Sequence, residues 1–324
     1  MYLFKGEIIM KKALVFGSTG NFGSSTVKAL LESGWRVSVF KRTQSKLNVN
    51  DSRIEVIEGD INHTKDISVA CEGVDLIVYG INPPYTQWRS NAYQLLDRIV
   101  SVVEQKKLHI LFPGNVYCLP TSNVAIDEAT PLSSQTEKGD IRLAMEQRLK
   151  KAATKGARVT IIRAGDFIGG QDQWFNMTFK PTKRGWKMAS PHDPQHQHFW
   201  SYLPDLCANA ISAAEQQHTS FEVFHDVGVV ATIDDWKKAF KANDIELTAG
   251  RFPWWAITCT SLVVPLFKEV LEMRYLWRST LVLDGTKLKT TLAHNYLSTS
   301  LHKIVGDTLS HQQKPVNSLN VINH

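Results

Sequence analysis

Apolar and polar positions follow two rhythms along the first half of the chain. Short apolar runs occur at 12–17 (KALVFG), 35–40 (WRVSVF), 54–60 (IEVIEGD), 75–80 (DLIVYG), 109–114 (HILFPG) and 158–165 (RVTIIRAG). Each ends near Gly, Pro or Asp, and each reads as a strand. Between them, Val27, Leu30 and Leu31 sit at i, i+3 and i+4 and predict a helix that Gly34 closes. Further helical stretches are expected around 64–72, 88–106 and 136–154. Regular β-α-β alternation over 12–165 predicts an α/β fold, a doubly wound parallel sheet with helices on both faces.

After Gly165 the rhythm breaks. Residues 166–200 are rich in aromatics, Gly, Pro and His and read as loops with short elements. A helix is expected at 205–217, a strand at 221–228 (FEVFHDVG) and a helix at 232–243 with Thr232 as N-cap. The predicted organisation is a Rossmann-type domain over 10–165, with 201–228 returning to it. A smaller mixed substrate domain over 166–200 and 229–305 would cap the strand ends, where open α/β sheets bind ligands. Residues 1–9 read as a disordered extension ahead of Met10, and 306–324 as a fraying tail.

The composition is that of an ordinary globular protein: 324 residues, 43% hydrophobic, 21% charged, net charge +6. It excludes disordered, collagen-like and coiled-coil chains, but no enzyme class. Residues 138–188 hold 12 Lys/Arg against 4 Asp/Glu. Arg148, Lys150, Lys151 and Lys155 read as a solvated helix face. No aromatic-basic interleaving suggests a nucleic-acid groove, so no nucleic acid is expected. Cys71, Cys118, Cys207 and Cys259 are too far apart for a C-x-x-C site, which fits a reducing, cytoplasmic compartment. The 16 residues between Arg251 and Lys268 fall short of the roughly 20 needed to span a bilayer. They are expected to form a buried or cleft-covering helix, with no membrane contact. Interfacial attachment through Trp254 and Trp255 is the alternative reading.

The sharpest motif is Gly17-Ser-Thr19-Gly20-Asn21-Phe22-Gly23, which follows a strand pattern and opens a helix pattern. Glycines there let the backbone approach a pyrophosphate, and the helix N-terminus favours its charge. The G-x-x-G-x-x-G spacing resembles the short-chain dehydrogenase/reductase superfamily. In NADP-preferring members a basic residue after the second strand meets the ribose 2′-phosphate. Arg42 matches it, with Lys41 and Lys46 in support. Gly59-Asp60-Ile61 resembles the adenine-contacting step, Gly80 to Asn82 the loop that passes the cofactor, and Asn91 the Asn of the following helix. Arg163-Ala-Gly-Asp-Phe-Ile-Gly169 and Trp200-Ser-Tyr-Leu-Pro-Asp205-Leu resemble segments of the extended subgroup. The chain from about 12 to 210 therefore resembles the extended or atypical, epimerase/dehydratase-like branch, which implies bound NADP or NAD, a small-molecule substrate and a homodimer formed through a helix pair.

The catalytic pattern departs from that branch. Its Ser/Thr place falls on Pro113, and the Tyr and Lys of Y-x-x-x-K fall on Lys138 and Arg142, with Glu146 four further on. Arg142 can hold a ribose hydroxyl but cannot act as a base. Lys138, one turn from Arg142, is expected to feel like-charge repulsion that suits it to donate a proton, partly offset by Glu146 through Arg142. Tyr117 is the second candidate donor. Tyr85, Trp174 and His198 are candidate substrate-lining residues. Phe175 and Trp200 could line an apolar pocket or fill the core. His192, His196 and His198 form H-x-x-x-H-x-H without a matching carboxylate or cysteine, so no metal is expected. Three functions are compatible with these residues: hydride transfer to or from a carbonyl or alcohol with NADP(H), NADP binding without turnover in a sensor or assembly factor, and nucleotide-sugar epimerisation or dehydration. In the last, Lys180, Lys183, Arg184 and Lys187 would meet a diphosphate.

Overall fold

The computed structural model describes residues 2–4, 7–42, 51–170, 173–191, 196–279 and 281–313. The six apolar runs form strands β1 (Lys12–Phe16), β2 (Arg36–Lys41), β3 (Ile54–Glu58), β4 (Leu76–Tyr79), β5 (His109–Asn115) and β6 (Arg158–Ala164). Phe221–Asp226 adds β7 beside β6. All pairings are parallel, in the order β3-β2-β1-β4-β5-β6-β7. The strand order reverses between β1 and β4, the place where open α/β sheets bind ligands.

Helices α1 (Asn21–Glu32), α2 (Tyr93–Lys106), α3 (Glu137–Thr154) and α4 (Leu203–Gln216) flank the sheet. On one face α1 packs against α4, and Val27, Leu30, Leu206 and Ala210 meet Val15 and Val37 of the sheet. On the other, α2 and α3 bury Leu96, Ile99, Val103, Met145 and Leu149 against Leu14, Ile77 and Ile110. Strands buried on both faces read as continuous apolar runs rather than alternating ones. That is why Val37-Ser-Val-Phe40 of β2 is buried throughout, where alternation alone exposes every second residue.

The second half is more regular than its composition predicts. Asp166–Ile168, His198–Tyr202 and Val229–Ala231 form one three-stranded sheet; Phe179–Thr182, Gly185–Ser190 and Leu247–Arg251 form another. An aromatic core holds them together: Phe175, Phe179, Trp200, Trp236 and Phe240 stack or cross at centroid distances of 4.5–6.4 Å. Phe175 and Trp200 are thus core residues rather than pocket lining. Helix 233–241 starts at Thr232 in a capping box with Asp235.

The segment between Arg251 and Lys268 is two short helices, α5 (Trp254–Thr260) and α6 (Pro265–Glu272). Pro265 opens α6 because its missing N–H is harmless in a first turn. Among the described residues no helix is long and apolar enough to cross a membrane. Two expectations about the ends do not hold. Tyr2–Phe4 and Glu7–Ile9 pair as antiparallel strands, so these residues ahead of Met10 are not a disordered extension. The region expected as a tail from 306 is helical to 313, in α7 (Leu301–Gln313), because Ile304, Val305 and Leu309 face the core.

Candidate active site

The glycine motif forms the turn between β1 and α1. Gly17 has φ +74°, and a Cβ there would lie 2.5 Å from the Gly80 carbonyl carbon. A Cβ on Gly23 would lie 2.2 Å from the Gly17 oxygen. These two glycines fit the turn against the end of β4. Gly20 is different. It is exposed, its N–H donates to the Gly17 carbonyl at 3.1 Å, and a Cβ would meet nothing nearer than 3.5 Å. As the N-cap of α1 it gives no side-chain bond to the first turn, which also carries no acidic residue. Thr19 and Asn82 are exposed on either side of the switch point. The Asn21 side chain faces Gly170, and the Phe22 ring is buried beside Phe167 in the core, so only the Phe22 backbone faces the turn.

At the ends of β2 and β3, Lys41 pairs with Glu58 at 3.2 Å, and Arg42 is exposed. The Asp60 carboxylate accepts from the Asn62 backbone and side chain at 2.9 Å, which lowers its pKa; His63 and Arg42 add smaller charge contributions. Arg42 and Asp60 therefore share the rim expected for the adenosine end, with Ile61 half-buried beside them. Lys46 and His192 lie outside the described residues. Asn91 is exposed in a π-turn at 88–92, where it donates to Gln87 at 3.4 Å. Asp205 accepts from the backbone and hydroxyl of Thr299 and fastens the C-terminal segment.

At the end of β5 the structure brings Tyr85, Tyr117 and Arg142 together. The two phenols share a hydrogen bond of 2.8 Å. Burial raises the pKa of both, Tyr117 well above its ordinary value; a nearby Arg142 cation opposes the shift and Asp166 reinforces it. Arg142 lies 4.8 Å over Trp88 and 5.5 Å over Phe112, and donates from Nη1 to the Pro113 carbonyl at 3.1 Å. Its Nε is buried without a hydrogen-bond partner, and burial pulls its pKa down. A guanidinium with an unused donor beside the switch point fits a ribose hydroxyl of a dinucleotide. The uncapped α1 N-terminus and open Gly20 fit its pyrophosphate.

Lys138 is held differently from the sequence expectation. It is 2% exposed, and its ammonium is clamped by Glu269 and Glu272 of α6. Its backbone N–H donates to Glu272 at 2.8 Å. The dominant neighbours are carboxylates, not Arg142. Nor does Glu146 serve Arg142: it makes a bidentate pair with buried Arg163, at 2.7 and 3.1 Å. Arg163 in turn meets His225 at 3.1 Å, and burial with this cation lowers the His225 pKa to about 4.

His198 bonds Asp166 at 2.8 Å and stacks on Trp277 at 3.7 Å; Trp277 also meets Trp174 at 5.0 Å. Trp174 and His198 thus meet through Trp277 in a buried cluster that continues into Trp200, while Tyr85 sits apart beside Tyr117. His198 opens its strand and His196 precedes it, so the two share no strand face. Sequence reasoning missed Glu269, Glu272, Asp166 and Trp277 as site residues. The i, i+3 spacing of the two glutamates was a usable signal for a shared helix face. Nothing in the sequence marks Trp277.

Residues 17–173 match a family described as NAD(P)H-binding. Among solved structures the chain is similar to a UDP-glucuronic acid 4-epimerase from Bacillus cereus in complex with UDP-glucuronic acid and NAD. That match has 18% identity and a TM-score of 0.68, and covers 93% of this chain and 98% of the other. A nucleoside-diphosphate-sugar epimerase from Pseudomonas aeruginosa matches at 16% identity and TM-score 0.72, covering 93% and 96%. The terminal R domain of the myxalamid PKS-NRPS biosynthetic pathway matches at 16% and 0.70, covering 93% and 90%. Matches this distant show the fold, and a fold does not choose a substrate. Residues 17–173 thus match an NAD(P)H-binding family, and the whole chain has the fold of these nucleotide-sugar epimerases.

Proposed function

We propose that the protein is an NADP(H)-dependent oxidoreductase acting on a carbonyl or alcohol. The observation that carries this reading is the hydrogen-bonded Tyr85–Tyr117 pair beside Arg142, at the same sheet edge as the glycine turn. Gly17, Gly20 and Gly23 with the α1 N-terminus would hold the pyrophosphate, Arg42 the 2′-phosphate and Arg142 a ribose hydroxyl. Bound dinucleotide would supply or accept the hydride. Tyr117 would donate a proton to the substrate oxygen, Tyr85 would keep its hydroxyl aligned, and the Arg142 cation would stabilise the resulting phenolate.

The test is a carbonyl screen that follows NADPH consumption. Tyr117→Phe is expected to lower kcat by roughly 10²–10⁴-fold with NADPH affinity unchanged. Turnover that survives this substitution intact rules Tyr117 out as the donor. One observation favours a second reading, an NADP sensor without turnover: burial holds the Tyr117 proton tightly, and the nearest lysine is occupied by two glutamates. That reading requires tight NADPH binding in titration calorimetry and no consumption with any carbonyl. Interconversion of a nucleotide sugar without net NADPH consumption would support epimerase chemistry instead.

A further inference from the structure

The α5–α6 unit exposes apolar surface that neither the fold nor the proposed chemistry uses. Trp255 is 76% exposed, Leu262 87% and Val263 79%; Val264, Pro265 and Leu266 continue the exposed run. Five consecutive exposed apolar residues, LVVPL at 262–266, have no stabilising role in an isolated chain. The opposite side of the same unit is fully engaged. Trp254 and Ile257 are buried, Trp254 donates to the Pro191 carbonyl at 3.0 Å, and Glu269 and Glu272 clamp Lys138. The exposed residues are therefore presented on a firmly anchored support.

Cations flank this patch along the chain. Arg251 ends the strand that leads into α5, Lys268 is exposed on α6, and Arg278 follows it. The sheet that ends at Arg251 is basic along its open face. Lys180 and Lys187 are direct cross-strand partners, Lys183 and Arg184 form the turn between their strands, and the Lys187 side chain lies across Gly250. Like charges placed opposite each other destabilise a strand pair. All seven cations lack an ion-pair partner among the described residues. An apolar tip with an exposed Trp, flanked by unneutralised Lys and Arg, combines the two features that bind an anionic bilayer surface: insertion to headgroup depth and attraction to acidic lipid.

We propose that the protein attaches peripherally to anionic membranes. Trp255 and residues 262–266 enter the headgroup layer, and the strip of Lys180, Lys183, Arg184, Lys187 and Arg251 lies over acidic lipid. This goes beyond the proposed function and stands apart from it. None of these cations belongs to the proposed dinucleotide site, and the contact needs no cofactor. It takes up the interfacial alternative for 252–267 with Trp255 as the anchor, since Trp254 is buried.

The experiment is co-sedimentation with vesicles of phosphatidylglycerol and phosphatidylcholine in equal parts, and with phosphatidylcholine alone. Two variants accompany the wild type: Leu262→Asp with Val263→Asp, and Lys180→Glu with Lys187→Glu. Thermal melting checks that each variant folds like the wild type. The wild type is expected to sediment with the mixed vesicles, and less so as salt rises. Each double variant should weaken binding about tenfold or more. Failure to bind the mixed vesicles overturns the proposal, as does equal binding by the wild type and both variants. Equal binding to neutral vesicles refutes the role of the basic strip. A dimer that the Asp variant dissociates, without vesicle binding by the wild type, assigns the patch to a protein interface instead.

Discussion

Lys138 separates a chemical reading of the site from a structural one, and Lys138→Met tests the difference. The substitution keeps the chain length and removes the ammonium from between Glu269 and Glu272. Truncating one partner of a fully buried ion pair costs about 3–5 kcal/mol, whereas exposed pairs contribute under about 1. Here the cation is 2% exposed and the two carboxylates are 25% and 23% exposed, so they can partly rehydrate. They also face each other at i, i+3 once the cation is gone. The expected loss is about 2–4 kcal/mol. With an m-value of about 3 kcal/mol/M, urea denaturation should show the midpoint falling by roughly 1 M with m unchanged. Adding Glu269→Gln and Glu272→Gln to the variant should recover at least half of the loss, because it removes the unbalanced charges. Hydrogen exchange should speed up in α6, which loses its tie to α3. Unchanged stability and unchanged α6 protection would refute the clamp. If turnover also vanished, Lys138 would be restored as the proton donor.

Three further outcomes follow from the same geometry. Gly20→Ala should leave stability nearly unchanged while abolishing tight NADPH binding, since its Cβ meets only space that a pyrophosphate would occupy; Gly23→Ala should lose both, because its Cβ runs into the Gly17 carbonyl. Calorimetry and thermal melting on the pair check this contrast. Arg42→Ala should weaken NADPH by about 1–3 kcal/mol, as expected for a charge-assisted hydrogen bond, and leave NADH unaffected; an equal loss for both would remove Arg42 from the 2′-phosphate. Burial raises the Asp226 pKa to about 6, against 3.8 for a free side chain, with Ser201 donating to it at 2.7 Å. The folded state thus holds this proton more tightly. Its contribution is complete below about pH 4 and is lost as pH rises through 6, a loss of about 3 kcal/mol. Asp226→Asn should therefore gain stability over wild type at pH 7 and not at pH 4, and a difference that stays flat across that range would contradict the assignment. Comparing the two proteins cancels the opposing contribution of His225, which is common to both.

Local signals carried far in the first half of the chain. The glycine spacing reported a turn whose tightness depends on the Gly17–Gly80 and Gly23–Gly17 approaches, and each run ending at Gly, Pro or Asp became a strand of one sheet. In the second half the same reasoning found the helix that starts after its N-cap Thr232, but not the two small sheets. Their pairings join residues as distant as Lys187 and Thr248, and their stability comes from an aromatic core with no periodic signature. Asp205 shows the same limit from another side. Its segment resembles one of the extended subgroup, but the resemblance does not show that its partner is Thr299.

By itself the sequence determined the strand-helix alternation and the glycine turn. These are properties of neighbouring residues, set by backbone freedom and hydrophobic period. Tertiary structure alone decided what Lys138 and Arg142 meet. Lys138 and Arg142 stand one helical turn apart and are both cations, yet one is neutralised by two glutamates more than 130 residues away while the other keeps a buried donor unused. The charge environment of a buried side chain is fixed by whatever the fold brings against it, and sequence spacing holds no record of that.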